Sequence, residues 1–314
     1  KPDGRTCNVG PGVFFCSISG LTNGRSYTFS VVATNPAGNS VSSSPSNSVI
    51  PSSLETVRRI APVWGMDRID QRTSSGDGYL DTPGRGKGTR IYVVDTGVRK
   101  THSEFGSRVS AGYSNVDDGK GTDDCNGHGT HVSSIAAGSS YGVANLATIV
   151  PVRVLDCNGS GSDSQVIDGL DWIYQNIIST NSQAVVNMSL GGSYSQQLEV
   201  AVEKIIQLGV PVVVAAGNSA IDACDLSPAG VQKAITVGAS TSTNRQAVYS
   251  NYGSCVDVFA PGSSITAAGI SGKTSTSVKS GSSMAAPHVA GYAAVVKGLF
   301  PRASSAAVTS AITQ

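Results

Sequence analysis

Ile91-Tyr92-Val93-Val94-Asp95-Thr96-Gly97 is a strand with no polar face. Its apolar residues run in succession and stop at an aspartate and a glycine. A half-exposed strand would alternate apolar with polar residues. A continuous run marks a parallel strand covered on both sides. Residues 90–95 are therefore expected as a strand, and 148–155, 184–190, 210–216, 234–238 and 256–260 share the character. Between them Val166, Leu170, Ile173 and Ile177, and then Leu198, Val202 and Ile205, recur at helical spacing. Strands alternating with amphipathic helices predict an α/β fold: a mostly parallel, twisted sheet with helices on both faces. Sites in such sheets form beyond the carboxyl ends of the strands. Asp95 lies at one such end, and Ser189 and Asn218 follow two others.

The bulk numbers exclude several classes. With 314 residues and 39% hydrophobic content, the chain has enough for one large core and a small appendage. A net charge of +1 with 14% charged residues gives no basic field for nucleic acid. The longest apolar run, 210–216, falls short of the ~20 residues of a membrane span. Six cysteines without Cys-x-x-Cys spacing (Cys7, Cys16, Cys125, Cys157, Cys224, Cys255) predict three disulfides and an oxidising compartment. Spacing alone does not choose among the possible pairings. Gly272-Lys273-Thr274 is no phosphate loop, because Ala267 stands where that motif needs glycine. Neither an initiator Met nor a secretory leader is present, so trimming at the amino end is expected.

Residues 1–53 differ in composition. Ser, Asn, Gly and Pro dominate, and Tyr27, Phe29, Val31 and Ala33 alternate with polar residues as in a half-buried strand. Together with Ala33-Thr34-Asn35-Pro36-Ala37-Gly38, residues 21–40 resemble the second half of a fibronectin type III domain. Such a sandwich needs ~100 residues, so a partial module is expected, with 42–55 as linker and 54–314 as the α/β domain.

Three segments carry the chemistry. Ser283 sits in Gly281-Ser282-Ser283-Met284-Ala285-Ala286-Pro287-His288-Val289, and His128 in Asn126-Gly127-His128-Gly129-Thr130-His131. A serine hydroxyl needs a base to take its proton, and the base needs a third group to fix its tautomer. Ser283, His128 and Asp95 supply those roles. Their order, Asp then His then Ser, is neither that of chymotrypsin nor that of the α/β-hydrolases. His128 and Ser283 each precede a small-residue helical run, so both are expected at helix N-termini, where unpaired N–H groups and the positive dipole end face the reacting atoms. His102, His131 and His288 read as structural. Asp117, Asp118, Asp123 and Asp124 read as a solvated acidic loop.

From about Trp64 onward the chain resembles a subtilase of the proteinase K group, closest to the aqualysin-like bacterial enzymes. Asp95-Thr96-Gly97, Gly127-His128-Gly129-Thr130-His131, Asn187-Met188-Ser189-Leu190-Gly191-Gly192 and Gly281 to Pro287 carry the likeness. Residues 64–72 and 152–162 extend it. Ser282 and Ala286 stand where Thr is usual, and Ser133-Ser134 where Ala-Gly is usual. The resemblance implies a three-layer subtilisin-like fold and a secreted, monomeric serine endopeptidase of broad specificity that works through an acyl-enzyme on protein or peptide substrates. It selects Ser283 over Ser282 as nucleophile and makes Asn218 the oxyanion donor. It assigns Ser189, Leu190 and Gly191 to a strand that pairs with substrate, and Gly159, Ser160 and Gly161 to the opposite edge. Ala215, Ala216 and Gly217 would floor the pocket for the residue before the cleaved bond. Structural Ca²⁺ is implied at Asp257 with the carbonyls of Gln232 and Ala234. A second site is implied at Asp67, Asp70, Gln71 and Asp77, with one ligand position falling on Tyr79. The likeness pairs Cys125 with Cys157 and Cys224 with Cys255, leaving Cys7 to Cys16. It also implies an early stop after Gln314, so trimming at that end is expected as well. An esterase and a catalytically impaired, protease-like binding protein are the competing readings.

Overall fold

The computed structural model describes residues 5–10, 18, 20–51, 58–59, 63–71, 78–82 and 84–313. The chain divides into two compact units, Lys1–Glu55 and Thr56–Gln314.

The larger unit is built on seven parallel strands: β1 (Thr89–Asp95), β2 (Tyr113–Ser114), β3 (Thr148–Arg153), β4 (Gln183–Met188), β5 (Val212–Ala215), β6 (Ile235–Ser240) and β7 (Val258–Pro261). Their spatial order is β7-β6-β5-β4-β1-β3-β2. The chain moves from β1 outward on one side through β3, then crosses back to β4 on the other. The carboxyl end of β1 is therefore the switch point, where a crevice opens. Each expected strand is present within a few residues of its predicted limits. β2 escaped prediction because a two-residue edge strand has no periodicity. The antiparallel pair β8 (Ile265–Ala268) and β9 (Thr276–Lys279) escaped because β9 is mostly polar and part-exposed.

Strand alternation distributes one apolar run over two cores. Ile91 and Val93 join a cluster with helices α1 (His128–Ala137) and α4 (Ser282–Leu299). Tyr92 and Val94 join the opposite cluster with α2 (Asp163–Thr180) and α3 (Gln196–Gln207). A short α5 (Ser305–Thr313) closes the described chain. Val166, Leu170, Ile173 and Ile177 form the buried stripe of α2, and Leu198, Val202 and Ile205 that of α3. A capping box starts α2: Ser162 Oγ accepts from Gln165 N (3.3 Å) while Ser162 N donates to Gln165 Oε1 (3.0 Å). By contrast α4 is buried nearly all round, which its Ala- and Val-rich sequence permits.

Disulfides join Cys125 to Cys157 and Cys224 to Cys255. Each closes a span of 32 or 31 residues, which contributes about 3–4 kcal/mol in the chain-entropy view. The first pins the approach to α1 against the loop after β3. The expected Cys7–Cys16 pair involves Cys16, which lies outside the described residues.

In the smaller unit a hairpin pairs Thr34–Asn35 with Gly38–Asn39. Above it the two arms advance unequally. The N–H groups of Phe29, Val31 and Ala33 donate to the hydroxyls of Ser46, Ser43 and Ser40 (3.0, 2.9 and 3.0 Å). The N–H groups of those serines return to the carbonyls of Phe29, Val31 and Ala33. Two residues on one arm thus face three on the other, with a serine side chain filling each step. Residues 43 and 46, expected in a linker, are therefore paired into the unit. The alternation buries Tyr27 but leaves Val31 72% exposed.

Candidate active site

Asp95 ends β1 with its side chain wholly buried. Its carbonyl accepts from Val154 N (3.0 Å) and Leu155 N (3.3 Å), and its Oδ1 accepts from Thr96 N (2.7 Å). His128 is the first residue of α1. Its Nδ1 lies 2.8 Å from Asp95 Oδ1 and 2.9 Å from Oδ2. A carboxylate only accepts, so Nδ1 carries the proton and Nε2 keeps a free lone pair. This approach requires glycine next in the chain: a Cβ on Gly129 would stand 2.2 Å from Gly97 O and 3.1 Å from Asp95 Oδ1. Burial works against the charged imidazole, but the charge of Asp95 and its hydrogen bonds prevail, so the His128 pKa is raised above its ordinary value.

Ser283 lies in the first turn of α4. Its Oγ donates to Ser189 O (3.1 Å), and Ser189 Oγ donates to Ser283 O (2.9 Å). Asn218 follows β5. Its Oδ1 accepts from Ser282 N (2.7 Å) and Ser282 Oγ (3.1 Å), and Ser282 Oγ in turn accepts from Gly217 N (3.0 Å). The backbone donor fixes which way the amide faces, and Nδ2 meets no acceptor among the described residues. A cleft of about 320 Å³ joins Asn218 and Ser283 to Leu190, Gly191, Ala215, Ala216 and Gly217. Leu226 and Ala229 form another part of its wall. Sequence reading missed them because only the antiparallel pairing of Leu226–Ser227 with Gly192–Ser193 brings that segment across.

Gly159, Ser160 and Gly161 stand apart from that cleft lining, on an exposed loop after β3. Asp156 shapes the loop, accepting Ser160 N at Oδ1 (2.9 Å) while its own N–H donates to Ser160 O (2.8 Å). Asn126 Nδ2 ties the same loop to the start of α1 through Cys157 O (3.0 Å). No hydrogen bond joins His128 to Ser283 among the described residues.

The other histidines have structural partners. His131 Nε2 donates to the carbonyls of Ile265 and Ser277 (3.1 Å each), and His288 Nδ1 to Met284 O (2.9 Å). Burial pushes both down to about 4. His102 Nε2 meets Ser275 O (2.9 Å). In the acidic loop Asp117, Asp118 and Asp123 are exposed, as the sequence reading has them, and Asp124 corrects it. Asp118 is bound by the fully buried Arg153 (2.8 and 2.5 Å), which holds its carboxyl well below the usual range. Asp124 is buried at 6% exposure.

Among the described residues the one tight cluster of potential metal ligands is Asp118 with Cys125 and Cys157. Those sulfurs are spent in a disulfide and that carboxylate on Arg153, so the cluster does not suit a cation. Asp257 suits one better. Thr236 N donates to its Oδ2 (2.8 Å), and burial raises its pKa, so a neighbouring cation would favour the ionised form. Asp67 and Asp70 already serve the local turn, accepting from Gly78 N (2.6 Å) and Leu80 N (2.5 Å), and Gln71 Nε2 also donates to Asp67 (3.0 Å). Asp77 lies outside the described residues.

Residues 86–314 match the subtilase family. The chain is a subtilase. This subtilase is 53% identical over 249 residues to the extracellular serine proteinase of Thermus sp. (strain Rt41A), spanning 79% of its own length and 60% of that protein. It is 51% identical over 233 residues to alkaline serine exoprotease A of Vibrio alginolyticus, spanning 74% of itself and 43% of that relative. A crystal structure of a cold-adapted subtilisin-like serine proteinase matches with a TM-score of 0.75 at 47% identity, over 80% of the subtilase and 90% of the other chain. No described helix is long and apolar enough to cross a membrane.

Proposed function

We propose that the subtilase is a secreted serine endopeptidase. The observation that carries this reading is a pair of fixed contacts beyond the carboxyl ends of the central strands β1 and β5: Asp95 with His128, and Asn218 with the start of the Ser283 helix. Ser283 Oγ attacks the scissile carbonyl once it turns from Ser189 O toward His128 Nε2, which takes the proton. Free-state geometry of this kind commonly tightens only on substrate binding. The oxyanion is held by Asn218 Nδ2 and by Ser283 N–H, one of the first-turn donors without an intrahelical partner. His128 then returns the proton to the leaving amine, and water repeats the sequence on the acyl-enzyme.

An extended peptide would lie along Ser189, Leu190 and Gly191 and reach the edge at Gly159, Ser160 and Gly161. Recognition through main-chain hydrogen bonds favours broad specificity, and the small floor of Ala215, Ala216 and Gly217 favours an apolar side chain in the cleft. A fluorophosphonate should label the wild-type chain and not Ser283→Ala, with cleavage of casein but not of long-chain esters. Labelling with ester cleavage alone would turn the reading to an esterase; no labelling and no cleavage would turn it to a binding protein. Replacing Asn218 by Ala should lower kcat by about a hundred- to thousandfold with little change in KM; the size is carried over from the same loss in subtilisin. A fall under tenfold would remove Asn218 from the oxyanion site.

The Asp257 carboxylate, with the carbonyls of Gln232 and Ala234, is the place where structural Ca²⁺ fits best. Bound there, the ion would stabilise the fold by mass action. EGTA should lower the melting temperature of the wild type and change that of Asp257→Asn much less. Equal melting curves with and without EGTA would sink this assignment.

A further inference from the structure

We propose that Asp124 is the positioning residue that sets His128 against Asp95, an inference that rests on the peptidase reading above. Asp124 Oδ1 accepts from Thr96 Oγ1 (2.9 Å), Asn126 N (2.9 Å) and Gly127 N (2.8 Å). Its Oδ2 accepts from Thr130 N (2.9 Å) and Thr130 Oγ1 (2.6 Å). One buried carboxylate therefore gathers N–H donors at the start of α1, the helix that begins with His128. It also reaches a different element. Thr96 directly follows Asp95, and its hydroxyl donates to Asp124 while accepting from Gly129 N (2.9 Å). The end of β1 and the first turn of α1 are thus fastened through the same two side chains.

That bridge fixes the separation of two residues that belong to different elements. Disulfide Cys125–Cys157 holds the region from outside but does not reach the Asp95 carboxylate or the imidazole, and Gly129, though packed close to Gly97 O and Asp95 Oδ1, gives that carboxylate no hydrogen bond. The bridge through Thr96 does, because Thr96 N is itself a donor to Asp95 Oδ1. Four groups act electrostatically on or beside the imidazole. Asp95 on β1 and Asp124 before α1 favour its charged form, Lys279 on β9 opposes it, and His131 lies one helical turn on. Removing the charge of Asp124 alone leaves the other three in place.

The test compares Asp124→Asn, Thr96→Val and Thr96→Ser in the full chain, on a chromogenic peptide and across pH. Asn retains one acceptor oxygen and so cannot serve both groups of donors. Asp124→Asn and Thr96→Val should each lower kcat by about 100-fold at nearly constant KM, the usual cost of displacing a catalytic group by ~1 Å. The acid limb of the Asp124→Asn profile should move to lower pH, since a negative charge that favours imidazolium is gone. Thr96→Ser, which keeps the hydroxyl, should recover the rate. Wild-type kcat and an unmoved limb in folded Asp124→Asn would overturn the proposal. So would a loss that disappears when the assay is run well below the melting temperature, because that is stability alone. If Asp124→Asn does not fold, Thr96→Val against Thr96→Ser decides, and equal rates overturn the proposal. A wild type inert to peptides and to fluorophosphonate would instead defeat the peptidase reading, and this inference with it.

Discussion

Ser283→Ala should abolish peptide hydrolysis while leaving the chain folded. The expected loss in kcat is on the order of 10⁶, the figure known for subtilisin and not one derived from this geometry. The structure explains why no neighbour can substitute. Ser282 is the adjacent hydroxyl, but it is fully buried and already engaged with Gly217 N and Asn218 Oδ1. Turning it toward substrate would strand the Gly217 N–H, while Asn218 Oδ1 would keep only the Ser282 N–H. Ser189 carries the other nearby hydroxyl, which donates to Ser283 O and accepts from Asn187 Nδ2 (3.0 Å). The fold should scarcely notice the change, because Ser283 Oγ gives up one part-exposed hydrogen bond, worth roughly 0.5–1.5 kcal/mol. The measurement is single-turnover kinetics beside a thermal melt. Residual kcat within tenfold of wild type would place the nucleophile elsewhere.

Asp95→Asn should cost about 10⁴-fold in kcat near neutral pH, by the tautomer argument that holds for such triads generally. The wild-type carboxylate accepts at both oxygens and holds His128 with its proton on Nδ1. An amide keeps its one oxygen for the Thr96 N–H and presents an NH₂ to the ring, which then accepts at Nδ1 and carries its proton on Nε2. That tautomer cannot take a proton from serine. The pH profile gives an independent sign. His128 must be neutral to act as base, and its pKa is raised, with Asp95 the cause of the rise. Wild-type activity should therefore fall as pH drops through a limb above the ordinary histidine value of about 6.5. In Asp95→Asn the limb should shift to lower pH, since burial then acts without its counterweight. A limb that stays in place would show that the titrating group is not His128.

Much of the site could be read before any fold was known, for a local reason. A β-strand that ends in Asp, a helix that opens with His and another that opens near Ser each announce themselves within a short segment. Asn218 could be read only through likeness to the family, since an asparagine after a strand is commonly a turn residue. Asp124 was misread outright. In sequence it sits among Asp117, Asp118 and Asp123 and looks like one more solvated acid; only the return of Thr96 and the start of α1 to the same point buries it. Leu226 and Ala229 had no signal at all, because their place in the cleft depends on a long-range antiparallel pairing.

The sequence by itself therefore determined the class of fold and nominated the groups proposed to react. Short apolar runs such as 91–94, closed by turn residues and alternating with amphipathic helices, have the pattern of strands covered on both faces, and hydroxyl, imidazole and carboxylate chemistry is inherent in the residues. The tertiary structure decided the distances and the company each group keeps. Those depend on strand order, which places residues 95, 189 and 218 at one rim, and on hydrogen bonds that bring 128 and 283 to it, although the chain holds them far apart. Burial, tautomer and charge balance follow from that placement, because each is a property of the surroundings that no single segment carries alone.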